Sequence, residues 1–269
     1  MKKLLAILFL LVSGFGFAQN KEIRNVSVFT KLAFRVPGKL ILKQGSPQSV
    51  VLEGDKETLS KIETEVDGNK LSIGREGRWM NWNWRDDDKI TVYITMKDID
   101  GLSVSGSGDL IGSGKLTSND LDLKVSGSGS LEIEVDAKGA IEADVSGSGD
   151  IDLKGSCQSF ESSVSGSGKV NIAAAIAGRA DVSVSGSGKV MASGTANQIK
   201  TTISGSGKVL AANLEVAKCE VRISGSGDVE INVKNELDAT ISGSGSVTYK
   251  GNPSQVNSHA SGSGHVRKM

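Results

Sequence analysis

The string Ser-Gly-Ser-Gly occurs nine times in the 269-residue chain, starting at Ser105, Ser126, Ser146, Ser165, Ser185, Ser204, Ser224, Ser242 and Ser261, at intervals of 18 to 21 residues. Such a period means that one small structural unit is stacked on copies of itself, each unable to bury its apolar face alone. The residues five, three and one before each string form apolar or small columns, as in Leu121, Leu123 and Val125 or Ile199, Thr201 and Ile203. A second alternating run follows the string, as in Leu131, Ile133 and Val135. Alternation with period two is the mark of a strand with one buried face, so each repeat carries two short strands on either side of a Ser-Gly corner. The residues between the inward positions are mostly Asp, Glu, Lys, Asn, Ser and Thr, which belong in water.

Neighbouring strands lie about 4.7–4.9 Å apart, a rise that a coil of this length with two or three short sides can match. Nine coils at that spacing make a rod roughly 40 Å long. A helical repeat needs apolar residues every three or four positions, which no repeat shows, and a propeller blade needs about 40 residues. The sequence therefore predicts an all-β, single-stranded parallel β-helix (a solenoid) with an N-terminal β-rich capping segment. It is expected to be right-handed because strand crossovers nearly always are. The string glycines make up 18 of the 34 in the chain, so they are parts of the coil and not loose linker. Glycine leaves room where one coil lies directly on the next. The serines are expected to form ladders along the rod, each hydroxyl bonding to the coil above or below.

These repeated Val/Ile-Ser-Gly-Ser-Gly-x-Val/Leu strings, with the segment FTKLAFRVPGKLILKQGSPQSVVLEGD near the N-terminus, resemble the auto-transporter adhesin head domains, or head GIN domains, secreted proteins common in Bacteroidetes. The resemblance covers nearly all of the mature chain. It implies the β-helical fold and an adhesive role, and it brings no functional residues with it.

Residues 1–18 carry Lys2 and Lys3, the apolar run Leu4 to Val12, and Gly16-Phe17-Ala18 before Gln19. A positive start, an apolar core too short to span a membrane and small residues at the cleavage point read as a secretory signal peptide. Residues 19–101 are expected to be a β-rich cap continuous with the solenoid, and residues 102–269 the repeat domain. Strand alternation is visible in Lys39 to Lys43, Ser49 to Glu53, Lys70 to Ile73 and Lys89 to Thr95, and Asp55 is placed to cap a short helix. Without Lys2 and Lys3 the chain has 29 basic and 31 acidic residues, a formal charge of −2. That balance gives no broad basic field for nucleic acid. No later apolar run reaches the ~20 residues of a membrane helix. No translocator barrel is expected among these residues. The expected location is outside the cytoplasm, in the periplasm or at the cell surface.

Cys219 takes an inward column position that it shares with Leu121, Ile141 and Phe160, whereas Cys157 lies eight residues before its string. Three coils separate the two cysteines, about 14 Å at the strand spacing. A bridge needs Cα atoms about 4.4–6.8 Å apart, so two separate thiols are expected, with no disulfide.

All three tryptophans, Trp79, Trp82 and Trp84, fall in GRWMNWNWRDDDK beside Asn81 and Asn83, in a segment that breaks the surrounding strand pattern. Aromatic platforms beside hydrogen-bonding groups suit a sugar-binding loop. The same residues also suit a long hairpin whose tryptophans cover the open end of the helix. The position after each string collects Lys169, Lys189 and Lys208 on successive coils. Such a stripe could follow an anionic polysaccharide, or simply keep the rod soluble.

Enzyme signatures are weak. The GSGK at Gly112 to Lys115 is followed by Leu116 where a phosphate loop needs Ser or Thr. His259 and His265 are the only histidines, which argues against an imidazole metal site or a Ser-His-Asp triad. No cofactor and no metal is expected. The reading is an exported, non-catalytic structural or adhesive module of the cell envelope, with surface polysaccharide or another envelope protein as partner. Two alternatives stand beside it: a carbohydrate-active β-helix enzyme, which requires paired carboxylates on adjacent coils and a cleft, and an ice- or mineral-facing surface, which requires exposed serine ladders.

Overall fold

The computed structural model describes residues 20–75 and 90–269 of the chain. Alternation of apolar and polar residues produces strands almost throughout, with one short helix among the described residues. In chain order the first elements are β1 (Asn20–Ile23), β2 (Lys31–Phe34), β3 (Lys39–Gln44), β4 (Ser49–Gly54), α1 (Lys56–Ser60), β5 (Ile62–Asp67), β6 (Lys70–Arg75) and β7 (Thr91–Met96). The repeats begin with β8 (Gly101–Gly106) and β9 (Asp109–Ser118), then β10 (Leu121–Gly127) and β11 (Ser130–Ala137), then β12 (Ala140–Gly147) and β13 (Asp150–Cys157). They continue through β14 (Ser159–Gly166), β15 (Lys169–Ile176) and β16 (Arg179–Gly186). Sides of successive coils then run together as β17 (Lys189–Gly205), β18 (Lys208–Gly225) and β19 (Asp228–Gly243), followed by β20 (Ser246–Lys250), β21 (Gln255–Ser261) and β22 (His265–Lys268).

The strands form two parallel stacks joined at the Ser-Gly corners, a β-solenoid. One stack places β6, β2, β8, β10, β12, β14 and β16 side by side. The other places β7, β3, β9, β11, β13 and β15 side by side. Register is kept by the columns seen in the sequence: Leu121 pairs with Ile141 and Ile141 with Phe160. Leu123, Val125, Leu131, Ile133 and Val135 all point inward and are buried, so the core is a continuous apolar column between the stacks. Small shifts in register, as between Glu132 and Glu134, let the second strand bend as it leaves the corner.

Stacking departs from chain order at the N-terminal end. The pair β6 and β7 lies outside β2 and β3, which in turn rest on β8 and β9. This end is closed by antiparallel strands: β4 pairs with β7, β1 with β4, and β5 with β6. Asp55 caps α1 by accepting from the amides of Glu57 and Thr58, and Leu59 of that helix is buried in the core. The Arg24 guanidinium donates to the Leu59 carbonyl at 2.9 Å and pairs with Glu22 at 2.8 Å, which ties β1 to the helix. Antiparallel closure covers the outward edges of β6 and β7 and passes the free edge to the short strands β1 and β5.

Both cysteines are free and buried, and they sit in different stacks. Cys157 pairs in register with Ile176, and Cys219 with Ile199 and Leu237.

Candidate functional site

Each Ser-Gly-Ser-Gly string turns the chain from one stack to the other. At residues 146–149 the first glycine, Gly147, has φ of 107°, and a β-carbon there would lie 2.7 Å from the Gly127 carbonyl oxygen of the neighbouring coil. The second, Gly149, is buried, and a β-carbon on it would lie 2.5 Å from both the Gly129 carbonyl oxygen and a methyl of Val125. The first glycine is thus demanded by both backbone angle and coil-on-coil contact, the second by contact. The corner is held by backbone bonds repeated from coil to coil: Ser148 N–H donates to Gly127 at 2.8 Å and Ser167 N–H to Gly147 at 2.8 Å.

The string serines stack in register, Ser126 beside Ser146, Ser146 beside Ser165 and Ser165 beside Ser185. The expectation that their hydroxyls bond from coil to coil needs correction. No hydrogen bond between described residues involves the side chain of a string serine, and from Ser126 to Ser244 every one is exposed. The physical reason is that β-carbons at the corner point outward, so stacking is left to the backbone and the hydroxyls face water. Two parallel, uncharged columns of exposed hydroxyls result.

The line of residues after the strings is also in register. Lys169 stands beside Lys189, and Lys189 beside Lys208. The two outer lysines meet carboxylates of the flanking coils: Lys169 is 3.8 Å from Asp150, and Lys208 is 2.9 Å from Asp228. Asp228 also accepts from the Ser246 hydroxyl at 2.7 Å, and this bond together with Lys208 holds its carboxyl below the usual range. Lys189 alone of the three makes no ion pair with a described residue.

Trp79, Asn81, Trp82, Asn83 and Trp84 lie outside the described residues. What is described is their place in the chain. They fall between β6 and β7, the outermost coil of the capped end, where the chain passes from one stack to the other. Later coils make that passage with the Ser-Gly corner alone.

Alignment of the coils brings together residues that were not singled out from the sequence. Asp122, Glu142, Glu161 and Asp181, each four before a string, form a ladder of carboxylates on adjacent coils. The signal was present at that fixed offset. Asp122 is paired with Lys124 at 3.0 Å and Asp181 with Arg179 at 2.6 Å, while Glu142 and Glu161 are exposed. A shallow groove beside the ladder is lined by Arg179, Lys200, Lys218, Arg222 and Glu236, most of them in ion pairs. Lys218 meets Glu236 at 3.0 Å and Arg222 meets Glu220 at 2.8 Å. Among the described residues no group of three or more His, Cys, Asp or Glu is placed to hold a metal ion, and no helix is long and apolar enough to cross a membrane.

The family model described as "Putative auto-transporter adhesin, head GIN domain" matches residues 28–192 and again 177–253. Three solved structures share the fold. The "Putative lipid binding protein" of Parabacteroides distasonis is 23% identical with a TM-score of 0.71, over 94% of this chain and 97% of that one. A "putative adhesin" of Parabacteroides merdae is 20% identical with a TM-score of 0.66, over 94% and 97%. Another "putative adhesin" of Parabacteroides distasonis is 19% identical with a TM-score of 0.68, over 93% and 97%. No curated protein matches the chain.

Proposed function

The chain belongs to the auto-transporter adhesin head GIN domain family, and from that membership we propose that it is an exported, non-catalytic adhesion module of the bacterial envelope that grips a surface glycan through residues 76–89. Membership supports the adhesive role. The position of that stretch supports the choice of contact. It joins β6 to β7 in the chain, and it carries Trp79, Trp82 and Trp84 with Asn81 and Asn83. Ring faces would cover the C–H side of a sugar and the amides would meet its hydroxyls. The lysines at 169, 189 and 208 would add an anionic subsite in which Lys189 is the free charge.

Labelled protein spanning residues 19–269, beside a Trp79/Trp82/Trp84→Ala variant, tests this on a panel of polysaccharides, envelope proteins and whole cells. Binding lost by the variant while its β-type circular dichroism is kept supports the reading; equal binding by both, or none by either, overturns it.

A second reading is favoured by the exposed serine columns. An uncharged, evenly spaced hydroxyl array suits contact with an ordered surface such as ice or a mineral. Lysine substitutions at Ser167, Ser187 and Ser206 would abolish growth inhibition of such crystals if this reading holds. Native protein without any such inhibition ends it.

A further inference from the structure

The sheet closed by β1 carries a line of apolar side chains on its outward face. Ile23 of β1 stands opposite Val51 of β4, Val51 opposite Tyr93 of β7, Tyr93 beside Ile41 of β3, and Ile41 beside Ile111 of β9. The alternation that sends Leu40, Leu42, Val50, Leu52, Val92 and Ile94 into the core sends these five the other way. Ile23 is 75% exposed and Tyr93 39%, and the other three are half-buried. Five strands at about 4.7–4.9 Å make the stripe roughly 19 Å long. It stops at Glu132, the next residue in the row.

Polar rows flank it. On one side lie Lys21, Glu53, Thr91 and Lys39, with Asp109 in register beyond, and on the other lie Ser49, Thr95 and Lys43. Lys21 is 3.5 Å from Glu53 and 5.6 Å from the centroid of the Tyr93 ring. Lys39 and Lys43 straddle Ile41 and make no ion pair with a described residue.

We propose that this stripe seats the capped end of the rod on a bilayer surface rich in anionic phospholipid. Its chemistry is mainly aliphatic, with Tyr93 the one ring among four aliphatic side chains. The backbones of β4, β7, β3 and β9 are paired on both sides, so no further strand can add among them. A flat apolar line fits the boundary between headgroups and acyl chains, where attachment grows with buried apolar area and with attraction to anionic lipid. Tyrosine, apolar with a polar tip, suits that depth. Lys39 and Lys43 supply the charge complement to phosphates on either side of Ile41. The inference does not depend on residues 76–89 or on the glycan reading.

Sedimentation of residues 19–269 with vesicles of phosphatidylglycerol and phosphatidylethanolamine, against vesicles of phosphatidylcholine, provides the test. An Ile23→Ser/Ile41→Ser variant changes only outward-facing positions, and circular dichroism checks its fold. Binding to the anionic vesicles should fall roughly tenfold or more in that variant. It should fall severalfold in Lys39→Glu/Lys43→Glu and weaken with salt. The Trp79/Trp82/Trp84→Ala variant should bind as the parent does. Absence of parent binding to anionic vesicles overturns the proposal, as does binding that survives in Ile23→Ser/Ile41→Ser. So does a dimer, seen by sedimentation velocity without vesicles, that the same variant dissociates, since the stripe then belongs to a second copy of the chain.

Discussion

The Gly127 carbonyl oxygen accepts the Ser148 amide at 2.8 Å and lies 2.7 Å from where a β-carbon on Gly147 would stand. The contact that binds one coil to the next is therefore the one that forbids a side chain. Gly147→Ala should cost about 2–4 kcal/mol, through positive φ and the clash with stacked backbone. Ser148→Ala, at an exposed position one residue on, should stay within about 0.5 kcal/mol. Urea unfolding followed by circular dichroism separates the two.

Thr201 is fully buried in the column between Val182 and Val221, and its hydroxyl has no hydrogen-bond partner among the described residues. Ser162, in the same column, donates to the Ala143 carbonyl at 3.1 Å. Thr201→Val keeps the shape and removes a buried polar atom that nothing satisfies. It should gain about 1 kcal/mol, a rise in Tm of about 2–4 °C. Ser162→Ala should give no such gain, and differential scanning calorimetry of both reads the contrast.

Burial raises the Cys157 thiol from 9.0 to about 11 and the Cys219 thiol to about 12. In the unfolded chain both ionise near the ordinary value, so their contribution to stability is complete below about pH 9 and is lost as pH rises toward the folded values. Each thiol removes up to about 1.4 kcal/mol per pH unit in that window. The native protein should resist thiol reagents at pH 8 and react fully in denaturant. A Cys157→Val/Cys219→Val variant should lose less stability between pH 8 and pH 10 than the parent.

With Lys169 and Lys208 beside Asp150 and Asp228, Lys189 should govern retention on a sulfated polysaccharide column. Lys189→Ala should elute at markedly lower salt, whereas Asp228→Asn, which frees Lys208, should elute later. Because the Asp228 carboxyl is held below its usual range by Ser246 and Lys208, the pairing persists above the ordinary carboxylate pKa and fades as pH falls through the lowered value. Acid release of Lys208 from Asp228 should accordingly need a pH below the ordinary carboxylate range, and retention of the parent should strengthen only there. Elution that ignores both substitutions would show that the line is only a solvated edge.

The repeats were legible because strand period and coil period coincide: columns such as Val125, Val145 and Val164 land in register without any adjustment. In the N-terminal segment, alternation located β3, β4 and β6, and Asp55 marked α1. Four-residue strands such as β1 and β2 are too short to show a period. Nothing local says that β6 passes outside β2, because Leu32 and Leu71 are equally good partners for a neighbouring coil. The apolar stripe was hidden for the same reason. Ile23, Val51, Tyr93, Ile41 and Ile111 meet only through that reordered stack and its antiparallel closure. The hydroxyl ladders were misjudged because sequence gives spacing but not the direction in which a corner side chain points.

Repetition of one corner at one rise makes the molecule a ruler. Each coil rests only on its two neighbours, so removing a whole repeat should shorten the rod by about 4.8 Å and leave every other coil in its old surroundings. Distance between the closed end and the far end is thereby written as a count of Ser-Gly-Ser-Gly strings. Lineages could change reach by duplication or deletion of about twenty codons, with no new packing problem to solve.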